Sequence, residues 1–188
     1  MSKVETANRV VTDKVRFSFV HIFTPHKFNE GDKEQYSIML LIPKTDKKNI
    51  AKFISVANRI KDTPEALKKW GGKVPSTVKA FMNDGDDVAD KYPECAGNYY
   101  VNAKNTLQPG IVDVNRQAIL NEAEVYSGCY GRVSCTLFPF NNVQKGISVS
   151  LNNVQKLADG EPLSAVQPSA EDDFEDFTGE AVDPLDLD

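Results

Sequence analysis

Between Ala123 and Phe138 the side chains alternate with period two, and no other stretch leaves this chain fewer ways to fold. Val125, Ser127, Cys129, Gly131, Val133, Cys135 and Leu137 share one face, and Glu124, Tyr126, Gly128, Tyr130, Arg132, Ser134 and Thr136 share the other. Successive residues of a strand point to opposite sides of a sheet, so the small apolar set is the core face and the set with two tyrosines and an arginine meets water. A long strand that is apolar on one side only belongs to an antiparallel sheet with one covered face.

The rest of the body reads as strands around a helical insertion. Residues 9–23 are β-branched and aromatic, and residues 35–42 form a second strand stopped by Pro43; Asn29-Glu30-Gly31-Asp32 between them is hairpin-turn chemistry. In the first strand Arg16, Ser18, Val20 and Ile22 oppose Phe17, Phe19, His21 and Phe23, and the sequence does not choose which set is core. Thr45 or Asp46 caps a helix running to about Lys61, with Ile50, Phe53, Ile54, Ala57 and Ile60 at helical spacing. Thr63-Pro64 starts a short second helix that ends at Gly71-Gly72. Residues 98–104 and 146–157 supply two more strands. Five strand regions with one helical insertion predict a mainly β fold, an OB-fold-like five-stranded barrel. The insertion follows strand two, whereas the usual OB helix follows strand three, so either the strand count is off or the fold is decorated.

Charge divides the chain. Of 27 acidic residues, ten fall in residues 161–188, which hold no base; residues 1–160 keep 22 bases beside 17 acids, a net of +5. The terminal stretch is too charged and too poor in apolar residues to bury a core. The expected organisation is a domain over 1–164 and a disordered acidic C-terminal tail over 165–188. Phe174, Phe177, Leu185 and Leu187, spaced among acids, have the character of a short docking peptide for a protein partner. A basic body beside an acidic tail suggests a polyanion ligand and a tail that competes with it.

The wet strand faces carry the candidate chemistry. A single strand of nucleic acid needs π-faces for its bases and cations for its phosphates. Tyr126, Tyr130 and Arg132 share one exposed face, and Tyr100 and Lys104 with Asn102 repeat the pattern on the 98–104 strand. Tyr100, Tyr126 and Tyr130 are the candidate stacking residues, and Arg16, Lys44, Lys79, Lys104 and Arg132 the candidate phosphate contacts. Asp84, Asp86, Asp87 and Asp90 raise the alternative of a magnesium-dependent nuclease, although Asn83-Asp84-Gly85-Asp86-Asp87 lacks EF-hand spacing and is better read as a polar turn. A second alternative is an interaction module whose tail does all the binding. The cysteines, Cys95, Cys129 and Cys135, have no zinc spacing, and neither His21 nor His26 sits in a nucleophile motif. The expectation is a non-enzymatic protein with no metal and no cofactor. No apolar run approaches a membrane span and the N-terminus has no secretory h-region, which predicts a cytoplasmic protein.

Several segments together resemble the single-stranded DNA-binding proteins of tailed phages. They are Arg16-Phe17-Ser18 followed by Phe23-Thr24-Pro25, Ile42-Pro43-Lys44-Thr45-Asp46, Asp84-Gly85-Asp86, and Gly97 to Ala103. Pro109 to Asp113, Tyr126-Ser127-Gly128-Cys129-Tyr130-Gly131-Arg132, and Leu151 to Leu163 extend the match. The resemblance implies an OB-fold body, an acidic tail, and coating of single-stranded DNA in phage replication or recombination. The partners it implies are single-stranded DNA and, through the tail, phage or host replication proteins in the host cytoplasm. A homo-oligomer is compatible with all of this.

Overall fold

In the computed structural model, residues 7–163 are described. The tail residues Phe174, Phe177, Leu185 and Leu187, and the domain boundary at 164/165, lie outside them. Eight strands run in the order β1 (Arg9–Val11), β2 (Val15–His26), β3 (Gln35–Pro43), β4 (Met82–Asp84), β5 (Asn98–Asn105), β6 (Gly110–Val112), β7 (Tyr130–Asn141) and β8 (Lys145–Ala158). Two helices, α1 (Lys47–Lys61) and α2 (Pro64–Lys69), fall between β3 and β5.

Five strands close a ring. β2 pairs with β3, β3 with β5, β5 in parallel with β8, β8 with β7, and β7 returns to β2. Numbered one to five along the chain, the ring strands follow 1-2-3-5-4-1, the topology of an OB barrel. The five-strand count holds. β1, β4 and β6 are short additions, and the helices lie between ring strands two and three, so the fold is decorated. Among the described residues no helix is long and apolar enough to cross a membrane.

The expected core face of the long strand is the core face. Val125, Cys129, Val133, Cys135 and Leu137 are all buried, together with Val101 and Ala103 from β5. The strand itself begins later, at Tyr130, because Glu122–Glu124 forms a single 3-10 turn and Gly128 bends the chain at φ +116°. The undecided first strand uses both of its faces. Phe17 is buried, Phe19 is exposed, and Ile22 is buried again. A register shift against β3 between Ser18 and His21, with Phe19 at φ +45°, is a bulge that swaps the two sides.

Asp46 caps α1 by accepting from the Asn49 backbone N–H at 3.1 Å, and Thr63 caps α2 by accepting from Ala66 at 3.2 Å. Phe53, Val56, Ala57 and Ile60 of α1 and Ala66 of α2 join the barrel core, while Ile54, on the expected apolar stripe, is exposed. Trp70, just past α2, is buried and donates from Nε1 to the Phe140 carbonyl at 3.1 Å. Lys69 Nζ donates to Pro139 O at 3.2 Å, and Lys145 Nζ donates to Trp70 O at 2.7 Å. The helical insertion is thereby fastened to the far end of the β7–β8 hairpin.

A smaller apolar cluster sits outside the barrel. Met39 and Leu41 point outward from β3 and are covered by Cys95, with Val88, Tyr92, Tyr100 and Leu163 packed against them. The covering segment comprises two single 3-10 turns, Gly85–Val88 and Pro93–Cys95. Cys95, Cys129 and Cys135 are free and buried, and burial pushes the Cys135 thiol up to about 12. At neutral pH that thiol is un-ionised and behaves as a small apolar side chain.

Candidate nucleic-acid interface

The outer face of ring strands one to three is concave. A groove of about 510 Å³ is lined by Phe19, His21 and His26 of β2, Phe28 of the β2–β3 loop, and Ser37 and Met39 of β3. Tyr100, Asn102 and Lys104 of β5 and Val88 and Tyr92 of the covering segment complete it. A second hollow of about 480 Å³ shares Asn102 and Lys104 with the first and continues past Lys79, Phe81, Phe138 and Phe140. The two form one path across β5, with Lys104 at the join. The same face of an OB barrel, between its first and fourth loops, is where this architecture binds oligonucleotides and oligosaccharides.

The aromatic rings are held apart from the core and open to solvent. Phe19 is 39% exposed, Phe28 52% and Phe138 38%. Phe19 meets Tyr92 edge to face at 5.2 Å between centroids, His21 stacks on His26 at 4.6 Å, and His26 meets Phe28 edge to face at 5.5 Å. The bulge at Phe19 places its ring in this row: unbroken alternation from Phe17 would have turned it into the barrel. A bulky residue at positive φ is costly, and such residues collect where function requires a fixed side chain.

Burial, and then the charge of neighbouring His26, hold the His21 imidazole below the ordinary histidine value of 6.5. Between its folded and unfolded pKa values the unfolded chain therefore carries more protons. Its contribution to stability is complete above the unfolded value and is lost as pH falls through the folded one. Thermal melts should show a midpoint that declines on acidification below about pH 6.5, and His21→Gln should shrink that decline.

The structure brings Tyr100, Lys104 and Lys79 to the groove. The other candidates lie elsewhere and are otherwise engaged. Arg16 donates from Nε to Gly128 O at 3.1 Å and from its terminal nitrogen to Glu161 O at 2.7 Å. Tyr130 has the Lys14 and Arg16 cations 5.4 and 5.7 Å from its ring centroid. The Tyr126 hydroxyl lies 3.1 Å from Asp159 Oδ1 and 3.0 Å from the Gly160 carbonyl, and accepts from the Gly160 N–H at 3.1 Å. A Cβ on Gly128 would fall 2.1 Å from the Glu161 carbonyl, so only glycine lets residues 159–163 lie so close. Arg132 donates to Thr12 O at 3.0 Å and lines a separate cleft with Val114, Arg116 and Gln155. Lys44 bridges Asp84 and Asp86 at 2.7 and 2.6 Å. That pairing engages two of the four acids on which the nuclease alternative rests, and among the described residues no three potential ligands cluster to hold a metal ion.

Sequence reasoning missed Phe19, His21, His26, Phe28, Tyr92, Phe138 and Phe140. Phe28, an aromatic between Lys27 and a polar turn, and Phe138, which continues the wet face of the long alternating strand, carried a local signal.

A fold with this groove also has relatives. The family model described as Enterobacter phage Enc34, ssDNA-binding protein matches residues 8–184. The chain belongs to that family. The Enc34 single-stranded DNA-binding protein, solved in complex with single-stranded DNA, is 26% identical with a TM-score of 0.71, covering 87% of this chain and 97% of that one. The protein p50 of Acyrthosiphon pisum secondary endosymbiont phage 1 is 25% identical over 185 residues, 90% of this chain and 94% of that protein. Beyond the Enc34 proteins, gp2.5, a single-stranded DNA-binding protein encoded by bacteriophage T7, has a TM-score of 0.61 over 93% of this chain and 98% of its own. At 13% identity that likeness is one of fold.

Proposed function

We propose that this protein coats single-stranded DNA in phage replication or recombination, without turning it over and with little sequence preference. The observation that carries this reading is the aromatic groove across β3 and β5, joined at Lys104 to a second aromatic hollow. Bases stack on Phe19, Tyr92, Tyr100 and Phe138, and phosphates meet Lys104 and Lys79. Stacking is indifferent to base identity because every base has a π-face. The family supports the reading, since a member has been solved with single-stranded DNA bound. Residues 165–188 act as a separate acidic tail that lowers affinity by competing for the groove and recruits phage or host replication proteins through Phe174, Phe177, Leu185 and Leu187. Leu163, the last described residue, packs against the outer cluster of Met39, Leu41 and Cys95, which Tyr92 and Tyr100 of the groove also cover.

Fluorescence anisotropy with a labelled dT oligomer tests this. Binding should weaken steeply with salt, because each neutralised phosphate releases counterions, and duplex competitor should displace the oligomer poorly. Removal of residues 165–188 should tighten binding at low salt, and the labelled strand should stay full length in magnesium. No binding at low salt, with or without the tail, would overturn the proposal. A shortened strand would revive the nuclease.

A further inference from the structure

Lys44 immediately follows β3 at the edge of the segment that covers the outer cluster, and the contacts around it form one closed node. Its Nζ lies 2.7 Å from Asp84 Oδ1 and 2.6 Å from Asp86 Oδ2. Asp86 Oδ1 accepts from the Gly97 N–H at 2.8 Å, and the Lys44 N–H donates to the Gly97 carbonyl at 3.1 Å. Asp84 Oδ1 also accepts from the Asp86 N–H at 2.9 Å. Both ends of the segment 85–97 are therefore tied to one lysine and one aspartate. Between the ties Gly85 is pressed so closely on the segment's far end that a Cβ would fall 2.1 Å from Cys95 O. The segment's inner side carries Val88 and Tyr92, which form one wall of the groove.

We propose that Lys44 is a positioning residue: by bridging Asp84 and Asp86 it holds segment 85–97 against β3 and β5, and so sets the place of Tyr92 opposite Phe19. The proposal rests on the groove being the DNA site. Two features of the node set this role apart from a Lys44 that contacts phosphate. A lysine already paired to two carboxylates presents net negative charge at the node. And the side chains are 30–55% exposed, where ion pairs contribute little to global stability, so any strong effect of the node must be local.

The two ideas differ in sign. If the node only influences DNA through charge, Asp86→Asn removes a negative charge and strengthens binding. If it positions Tyr92, Asp86→Asn and Lys44→Met both weaken binding, by about tenfold, the size of one lost base stack. They would do so with the salt slope unchanged, and Lys44→Arg would restore most of the affinity. Hydrogen exchange on the DNA-free full chain gives an independent reading: amides of 85–97 should exchange faster in both variants while those of β7 and β8 hold. Tighter binding by Asp86→Asn, or a salt slope reduced by about one in Lys44→Met, would overturn the proposal, as would unchanged exchange in 85–97. Should the unmodified protein fail to bind DNA, the proposed function falls while the exchange experiment still decides whether the node holds the segment.

Discussion

Substituting alanine for Phe19 or Tyr100 is expected to weaken binding to a dT oligomer by about 1–3 kcal/mol each, the cost of one base losing its aromatic platform. Phe19 is exposed and held at positive φ by the bulge in β2, so its ring stands in place before any ligand arrives. Preorganised rings lose little conformational entropy on binding, which is why their removal costs nearly the full stacking term. Tyr100 stands on β5, across β3 from Phe19, and also covers Met39 and Leu41, so its variant should lose a little stability as well. Anisotropy titrations at fixed salt, with circular dichroism confirming the fold, check both variants. Tyr126 and Tyr130 provide the comparison. The hydroxyl of the first is tied to residues 159–160 and the ring of the second is flanked by two cations. Loss of affinity at these two, with none at Phe19 and Tyr100, would move the DNA path from the β3–β5 face to the β7 side.

The second large effect concerns folding. Trp70→Ala should destabilise the protein by about 3–5 kcal/mol, the usual cost of deleting a large buried aromatic. Trp70 is 1% exposed, and its indole N–H satisfies the Phe140 carbonyl at the far end of the barrel. The alanine variant leaves a cavity and an unpaired carbonyl together. For a chain of this size the melting midpoint should fall by roughly 6–20 °C. Ile54→Ala, on the exposed side of α1, should change stability by less than about 0.5 kcal/mol. Calorimetry or thermal circular dichroism distinguishes the two, and a Trp70 variant that melts with the wild type would mean that the insertion is not fastened to the barrel through this residue.

The core was legible wherever alternation was unbroken. Val133, Cys135 and Leu137 sit where period two places them, and Asp46 and Thr63 cap helices as their chemistry suggests. The first strand could not be read because its bulge changes sides at Phe19, and a bulge is set by the partner strand rather than by local composition. Tyr126 was placed on a strand face by extending the alternation backwards through Gly128, where the backbone turns away. The groove was half legible. Tyr100 and Lys104 announced themselves by alternating on one strand, but Tyr92, Phe28 and Phe138 belong to three segments far apart in the chain that only strand pairing gathers along one path. Lys44 read as a free cation because nothing local shows that Asp84 and Asp86, some forty residues on, fold back upon it.

The ring seals where β2 meets β7, and the Arg16–Gly128 contact beside that seam joins residues 112 positions apart. The strands β2, β3 and β5, which carry most of the groove, lie in the first 105 residues. A chain emerging from the ribosome can therefore pair the groove strands well before the barrel exists. Until Tyr130 and the residues after it arrive, β2 presents an unpaired edge and β5 one that β4 covers only over Tyr99–Val101, the kind of surface that pairs with other chains. Long-range closure of this type is slow, so the nascent protein passes through a half-built, adhesive state.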